Sequence, residues 1–148
     1  MVQFETRAEN YQERVLSSFG KQSFLETLGG TITHLAPGEV DITLEAKKGL
    51  QQQHGFFHAG VTTSIMDSAA GYAAFSLFGA GDGVLTSEFK ANLLNPARGE
   101  KLIAKGRVIK PGRTLTVCQG DVYSYLDGNE IHVATGLFTM VRAEGLEP

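Results

Sequence analysis

The sequence is short of the residues that staple or metallate small proteins, with a single cysteine in 148 positions. That lone thiol, Cys118, excludes an internal disulfide framework and any multi-cysteine zinc site. It sits mid-strand by pattern, between Val117 and Gln119, and reads as a buried structural thiol. A basic excess is missing too. Thirteen Lys and Arg stand against sixteen Asp and Glu, a formal net charge of −3, so no whole-chain footprint for nucleic acid is present. The opening MVQFETRAENYQER has no apolar signal-peptide core. The longest apolar stretch, Gly60 to Phe78, carries Asp67 and many small residues, and reads as a buried helix rather than a membrane span. There is no GxSxG nucleophile elbow, internal repeat or low-complexity tract. These absences leave one domain over residues 1–148, expected in the cytoplasm and with neither a membrane nor a nucleic-acid partner.

What is present suits a packed core: 42% hydrophobic and 20% charged residues, an ordinary globular balance at a length that needs no staples. Apolar Tyr11, Val15, Leu16 and Phe19 recur at helical spacing, predicting a helix over Glu9–Phe19. A further helical turn over Ser23–Leu28 is stopped by Gly29-Gly30. Together they make an N-terminal helical segment, residues 1–29. A strand over Thr31–Leu35, a Pro37-Gly38 turn and a cleanly alternating strand over Glu39–Ala46 form a hairpin. Lys47–Phe57 shows no periodicity and reads as an irregular loop of functional length. His58 to about Phe78 is the one long helix, apolar nearly all round, and so must be wrapped on several sides. Gly79–Gly83 follows a helix rather than a strand and reads as a turn, not a phosphate loop. Strands follow over Val84–Leu94, Lys101–Ile109, Thr114–Leu126 and Glu130–Val141, with a hairpin turn at Asp127-Gly128-Asn129. An α+β fold, an antiparallel sheet curled around one apolar helix, satisfies this order.

The chemistry concentrates in His54–Tyr72, HGFFHAGVTTSIMDSAAGY. His58-Ala59-Gly60 opens the helix, where unpaired N–H groups and a partial positive charge suit an oxyanion or a polarised carbonyl. Asp67 stands alone among Ile65, Met66, Ala69 and Ala70. A charge there is costly unless paired or used, and burial raises its pKa toward that of a base. A structural Asp paired with a cation or backbone is an equally good reading of the pattern alone. His58 taken alone reads more readily as a helix cap or a loop-packing histidine. His54 and His58 are four apart but flank Gly-Phe-Phe without a carboxylate ligand, so no metal is expected. Geometry adds a constraint. Nine residues separate Asp67 from His58, about 900° and roughly 13 Å along a straight helix, so the two point to opposite sides. If both act on one carbonyl, one of them comes from a second subunit.

HGFFHAG, Asp67 nine residues after His58, and AAGYAA together resemble the phenylacetate-pathway (PaaI-like) group of hotdog acyl-CoA thioesterases. The likeness continues in LTSEFKANLLNPA and in GRTL at Gly112–Leu115, and spans roughly Leu50 to Val141. The resemblance implies a hotdog fold, dimers or dimers of dimers with sites between subunits, and hydrolysis of acyl-CoA without a cofactor, coenzyme A being part of the substrate. It puts the helix carboxylate, as general base or nucleophile, on Asp67, the polarising amide on Ala59 beside His58, and the water-holding hydroxyl on Thr86. The loop amide falls on Gln52, with Gln51 and Gln53 as alternatives. Gly60 and Gln53 are expected against the substrate. Lys90, Lys110 and Arg113 are candidates for the coenzyme A phosphates, Arg113 foremost, with Arg98 a further basic residue in the region. For each of these the plain alternative is a solvated surface charge. The common family pattern is His-Gly-Gly where this chain has His58-Ala59-Gly60, and Ala59 keeps the required N–H. A hotdog hydratase or dehydratase using His58 and Asp67, and an acyl-CoA sensor without turnover, are the rival readings.

Overall fold

The computed structural model describes residues 3–148, so the first two positions of the 1–29 segment lie outside the described residues. The element order is α1 (Tyr11–Gly20), α2 (Ser23–Leu28), β1 (Thr31–Ala36), β2 (Glu39–Glu45), α3 (Ala59–Phe75), β3 (Asp82–Leu93), β4 (Lys101–Lys110), β5 (Leu115–Leu126) and β6 (Asn129–Glu144). The six strands form one antiparallel sheet in the order β1-β2-β4-β5-β6-β3. The sheet packs its inner face on α3, which lies against β2, β4 and β5 and reaches β3 and β6. This is the helix-wrapped α+β arrangement expected from the pattern of elements.

The apolar residues of the helix are the ones the sheet covers. Ile65, Met66, Ala69, Ala70, Ala73 and Ala74 are all fully buried. Deep burial of each larger apolar side chain contributes about 1.5–3 kcal/mol. Small residues let helix and sheet touch. A Cβ on Gly106 of β4 would overlap the backbone of Ala69, so strand and helix meet there backbone to backbone. The uncovered side of α3 is polar: Ser64, Asp67 and Ser68 are half-buried, spaced three and four apart, and so form one stripe along the helix.

Several element ends differ from those the sequence predicts, each for a local reason. α3 stops at Phe75, three residues before the expected end. The Ser76 hydroxyl donates to the Ala73 carbonyl and accepts from the Gly38 amide at 2.8 Å, while Leu77 and Phe78 close tight turns on Ala74 and Phe75. β3 begins at Asp82 and β6 runs on to Glu144, because Asp82 pairs with Glu144 in the ladder and binds Arg142 through its carboxylate at 3.1 Å. The glycine-rich exit is shortened accordingly. β6 also starts earlier, at Asn129, since Asp127 and Gly128 alone make the turn with φ of 50° and 76°, the two positive values that a two-residue hairpin connection requires. The loop before α3 is more ordered than its sequence suggests. It holds a 3-10 turn at Lys48–Leu50 and a bridge between Gln51 and Phe57.

The N-terminal helices dock on the C-terminal half of α3. Val15 is fully buried. The Arg14 guanidinium lies over the Phe75 ring at 4.7 Å and donates to the carbonyls of Phe78 and Asp82. It thereby serves carbonyls where the helix chain leaves the core. Phe19 packs edge-on against Tyr72. Cys118 is buried, and burial pushes its thiol up to about 12, which suits an inert packing residue.

Candidate active site

Asp67 occupies the polar stripe of α3 and opens onto a cleft of about 320 Å³ bounded also by Ser64, Ser68, Gly71, Tyr72, Gln22, Phe24 and the β3 residues Val84–Thr86. Thr86 donates its hydroxyl hydrogen to Asp67 Oδ1 at 2.7 Å. Two effects oppose each other at the carboxylate. Burial raises its pKa above the usual aspartate value and is the larger effect; the Thr86 hydrogen bond lowers it. No Lys or Arg is paired with Asp67 among the described residues. The structural reading, an aspartate held by a cation or by backbone, finds neither partner among the described residues, where the side chain is bonded to the Thr86 hydroxyl. With its proton directed at Asp67, the Thr86 oxygen still has lone pairs to accept from a water.

The start of α3 lies in a second cleft of about 510 Å³, bounded by Gln52, Gln53, Phe56, Phe57, His58, Ala59, Thr62 and the Leu93–Ala97 stretch. His58 is the N-cap residue: its Nδ1 accepts from the Gly60 amide at 2.8 Å. The ring is oriented by the cap. The Gly60 amide is occupied by the same bond, so of the two expected to meet substrate only Ala59 keeps an available N–H. Ala59 is exposed, and its amide has no acceptor among the described residues. It is the first free donor of a 17-residue helix and borders the cleft, where the helix dipole favours negative charge.

The loop glutamines separate cleanly. Gln52 is half-buried and Gln53 exposed, and both line the second cleft. Gln51 is held in the bridge with Phe57 and borders neither cleft. The Gln52 side-chain carbonyl accepts from the His54 amide, and its Nε2 has no partner among the described residues. That leaves the side-chain NH2 for an outside acceptor.

Within one chain, Asp67 and Ala59 are therefore not brought together. They serve two different clefts, as the helix geometry predicts. Thr86 joins Asp67; Gln52, Gln53 and His58 join Ala59. The basic candidates are dispersed. Lys90 lies with Asn92, Gln119 and Leu137 in a hollow away from both clefts. Lys110 and Arg113 are exposed at the β4–β5 turn. The register Leu115–Val141–Leu85 puts that turn at the same end of the sheet as Thr86, yet neither residue borders a cleft. Arg98 stacks its guanidinium on Phe56 at 4.7 Å, at the wall of the Ala59 cleft.

Gln22, Phe24 and Tyr72 are cleft residues that sequence reasoning did not find. Gln22 donates to the Tyr72 hydroxyl at 2.7 Å, and the Ser18 hydroxyl lies 3.2 Å from the same oxygen. The one visible signal was Phe24 itself, an aromatic residue in a short helical turn that also offers Leu25 and Leu28 to the core. Nothing local says that it would stand beside Asp67.

Known proteins share this fold and part of this sequence. The family model described as the thioesterase superfamily matches residues 54–129, just over half of the chain. The crystal structure of a thioesterase family protein from Silicibacter pomeroyi is 46% identical, superposes with a TM-score of 0.91, and covers 92% of this chain and 100% of its own. Two further structures share the fold at lower identity. The thioesterase HI1161 from Haemophilus influenzae has 23% identity and a TM-score of 0.79, covering 89% of this chain and 90% of its own. The PaaI protein from the phenylacetic acid degradation operon of E. coli has 19% identity and a TM-score of 0.83, covering 95% and 98%. The matched segment holds Asp67, Ala59 and Thr86, the groups that the geometry singles out, and on these grounds the chain belongs to the thioesterase superfamily, with the hotdog fold.

Proposed function

We propose that the protein hydrolyses the thioester of an acyl-CoA to the free acid and coenzyme A. One observation carries this reading: a lone carboxylate, Asp67, in a cleft, held by a hydroxyl and raised in pKa by burial. In this reading Asp67 takes a proton from a water held against Thr86, and that water's oxygen attacks the thioester carbon. The carbonyl oxygen becomes an oxyanion and is met by the Ala59 amide. When the carbon–sulfur bond breaks, the proton on Asp67 passes to the leaving thiolate. The alternative course, direct attack by the carboxylate to give an acyl anhydride that water then opens, uses the same groups. Either course needs water and no cofactor. The Gln52 Nε2 and Gln53 hold the thioester arm, and Arg98, stacked on Phe56 at the wall of the Ala59 cleft, is the basic residue placed best for the coenzyme A phosphates.

The site is shared between subunits in this reading, and the sheet supplies the means. β3 is an edge strand of twelve residues whose outer side pairs with no strand among the described residues. Along it Leu85, Phe89 and Leu93 are 53%, 45% and 59% exposed. A long apolar edge of this kind is a template for another strand. Pairing β3 with its own copy, antiparallel about a two-fold between Phe89 and Lys90, sets Thr86 across from Leu93 of the partner subunit. The Asp67 cleft contains Thr86 and the Ala59 cleft contains Leu93, so that pairing joins the two halves into one site, twice per dimer. Two such dimers can associate further into a tetramer.

The hydratase reading needs the His58 ring as a base beside Asp67. Its Nδ1 is engaged with Gly60 as the helix cap, which weighs against that nitrogen as the base. Following thiol release from a panel of acyl-CoAs with wild type and Asp67→Ala tests the proposal. A loss of about 10²–10⁴-fold is expected for removal of a general base. Undiminished hydrolysis in the variant sinks the assignment, and binding without turnover in wild type points to a sensor instead.

A further inference from the structure

Four small residues, Ala69, Ala70, Gly71 and Ala73, follow Asp67 on α3, and they are small for different reasons. Ala69 and Ala70 face Gly106, where a Cβ on the strand would overlap Ala69 and reach 2.5 Å from the Ala70 nitrogen; there the helix and sheet leave no room. Gly71 is unlike them. A Cβ built on it meets nothing nearer than Met140 Sδ and Cε at 4.0 Å, an ordinary van der Waals contact. Its backbone is helical, a conformation in which alanine outperforms glycine. Neither packing nor backbone geometry asks for glycine at this position.

The cleft does. Gly71 lines it one helical turn beyond Asp67, about 6 Å along the axis. Past Gly71 the wall is made by the Phe24 ring, 55% exposed, and by Tyr72 with its Gln22 hydrogen bond. At about 320 Å³ the space is at the low end of ligand clefts. The geometry points to Gly71 as the residue that determines which acyl groups are accepted: its missing side chain leaves the room, between Asp67 and the Phe24–Tyr72 wall, in which a compact acyl group of one short chain or one ring lies during hydrolysis. This rests on the hydrolase reading above.

The test is Gly71→Ala, assayed for kcat/KM on acetyl-CoA, hexanoyl-CoA and benzoyl-CoA, with the melting temperature measured alongside. A methyl group placed in a fitted pocket shifts discrimination by about tenfold or more. The ratios of hexanoyl-CoA and benzoyl-CoA to acetyl-CoA are therefore expected to fall by that factor, with the melting temperature unchanged or higher. Unchanged ratios in an active variant overturn the inference and leave the hydrolase reading standing. A lowered melting temperature also overturns it, because Gly71 would then serve packing. A wild type inert toward all three thioesters overturns the hydrolase reading, and this inference with it.

Discussion

Asp67 is governed by two neighbours of opposite effect, the surrounding apolar helix that raises its pKa and the Thr86 hydroxyl that lowers it. With the ionised carboxylate as the proposed base, kcat/KM is expected to rise with pH along a limb displaced above the ordinary aspartate range. Replacing Thr86 by valine removes the hydrogen bond that favours the charged form. The limb of Thr86→Val is expected to move to still higher pH, with lower activity on its acid side. A pH–rate profile of the two proteins checks this, and a limb that stays put or moves down contradicts the role given to Thr86. At this scale part of the candidate site was legible. Asp67 stood out as one charge in an apolar run, while Ala59 was singled out only through the family resemblance. The two readings of His58 needed coordinates, since only the Nδ1–Gly60 contact shows the ring acting as a cap. Gln22 and Phe24 were not legible, because they reach the cleft across a separation of about fifty residues that no local periodicity encodes.

Among the elements, α3 does the most, and its first residue offers a clean test. Ala59 is the first helical position, where proline is well tolerated and lacks the N–H. The preceding His58 has φ −62° and ψ 139°, the extended conformation that a residue before proline adopts. Ala59→Pro is therefore expected to fold with an unchanged melting temperature and to lose about 10²–10³-fold in kcat, the usual effect of removing one oxyanion donor. Full activity in a folded Ala59→Pro protein contradicts the polarising role. The elements themselves followed from pattern: the alternating β2, the apolar α3 and the Asp127-Gly128 turn all lie where the sequence predicts. Their ends did not follow, because they are set by distant partners. Ser76 answers to Gly38, and Asp82 to Arg142. Even the long loop hid a 3-10 turn and a bridge, whose hydrogen bonds carry no hydrophobic signature.

At the scale of the whole molecule the two clefts are separate on one chain, and β3 is an open, apolar edge. In the proposed two-fold dimer each site takes Asp67 and Thr86 from one subunit and Ala59 and Gln52 from the other. Neither the edge nor the pairing register could be read from sequence, since strand order in the sheet is a tertiary property. The most direct measurement mixes two inactive variants, Asp67→Asn and Ala59→Pro, after unfolding and refolding them together. Random pairing makes half of the dimers mixed, and each mixed dimer carries one site with both native groups, so thioesterase activity should return to about a quarter of wild type in such a shared-site dimer. Activity that stays at the level of the separate variants would contradict a site built from Asp67 of one subunit and Ala59 of its partner.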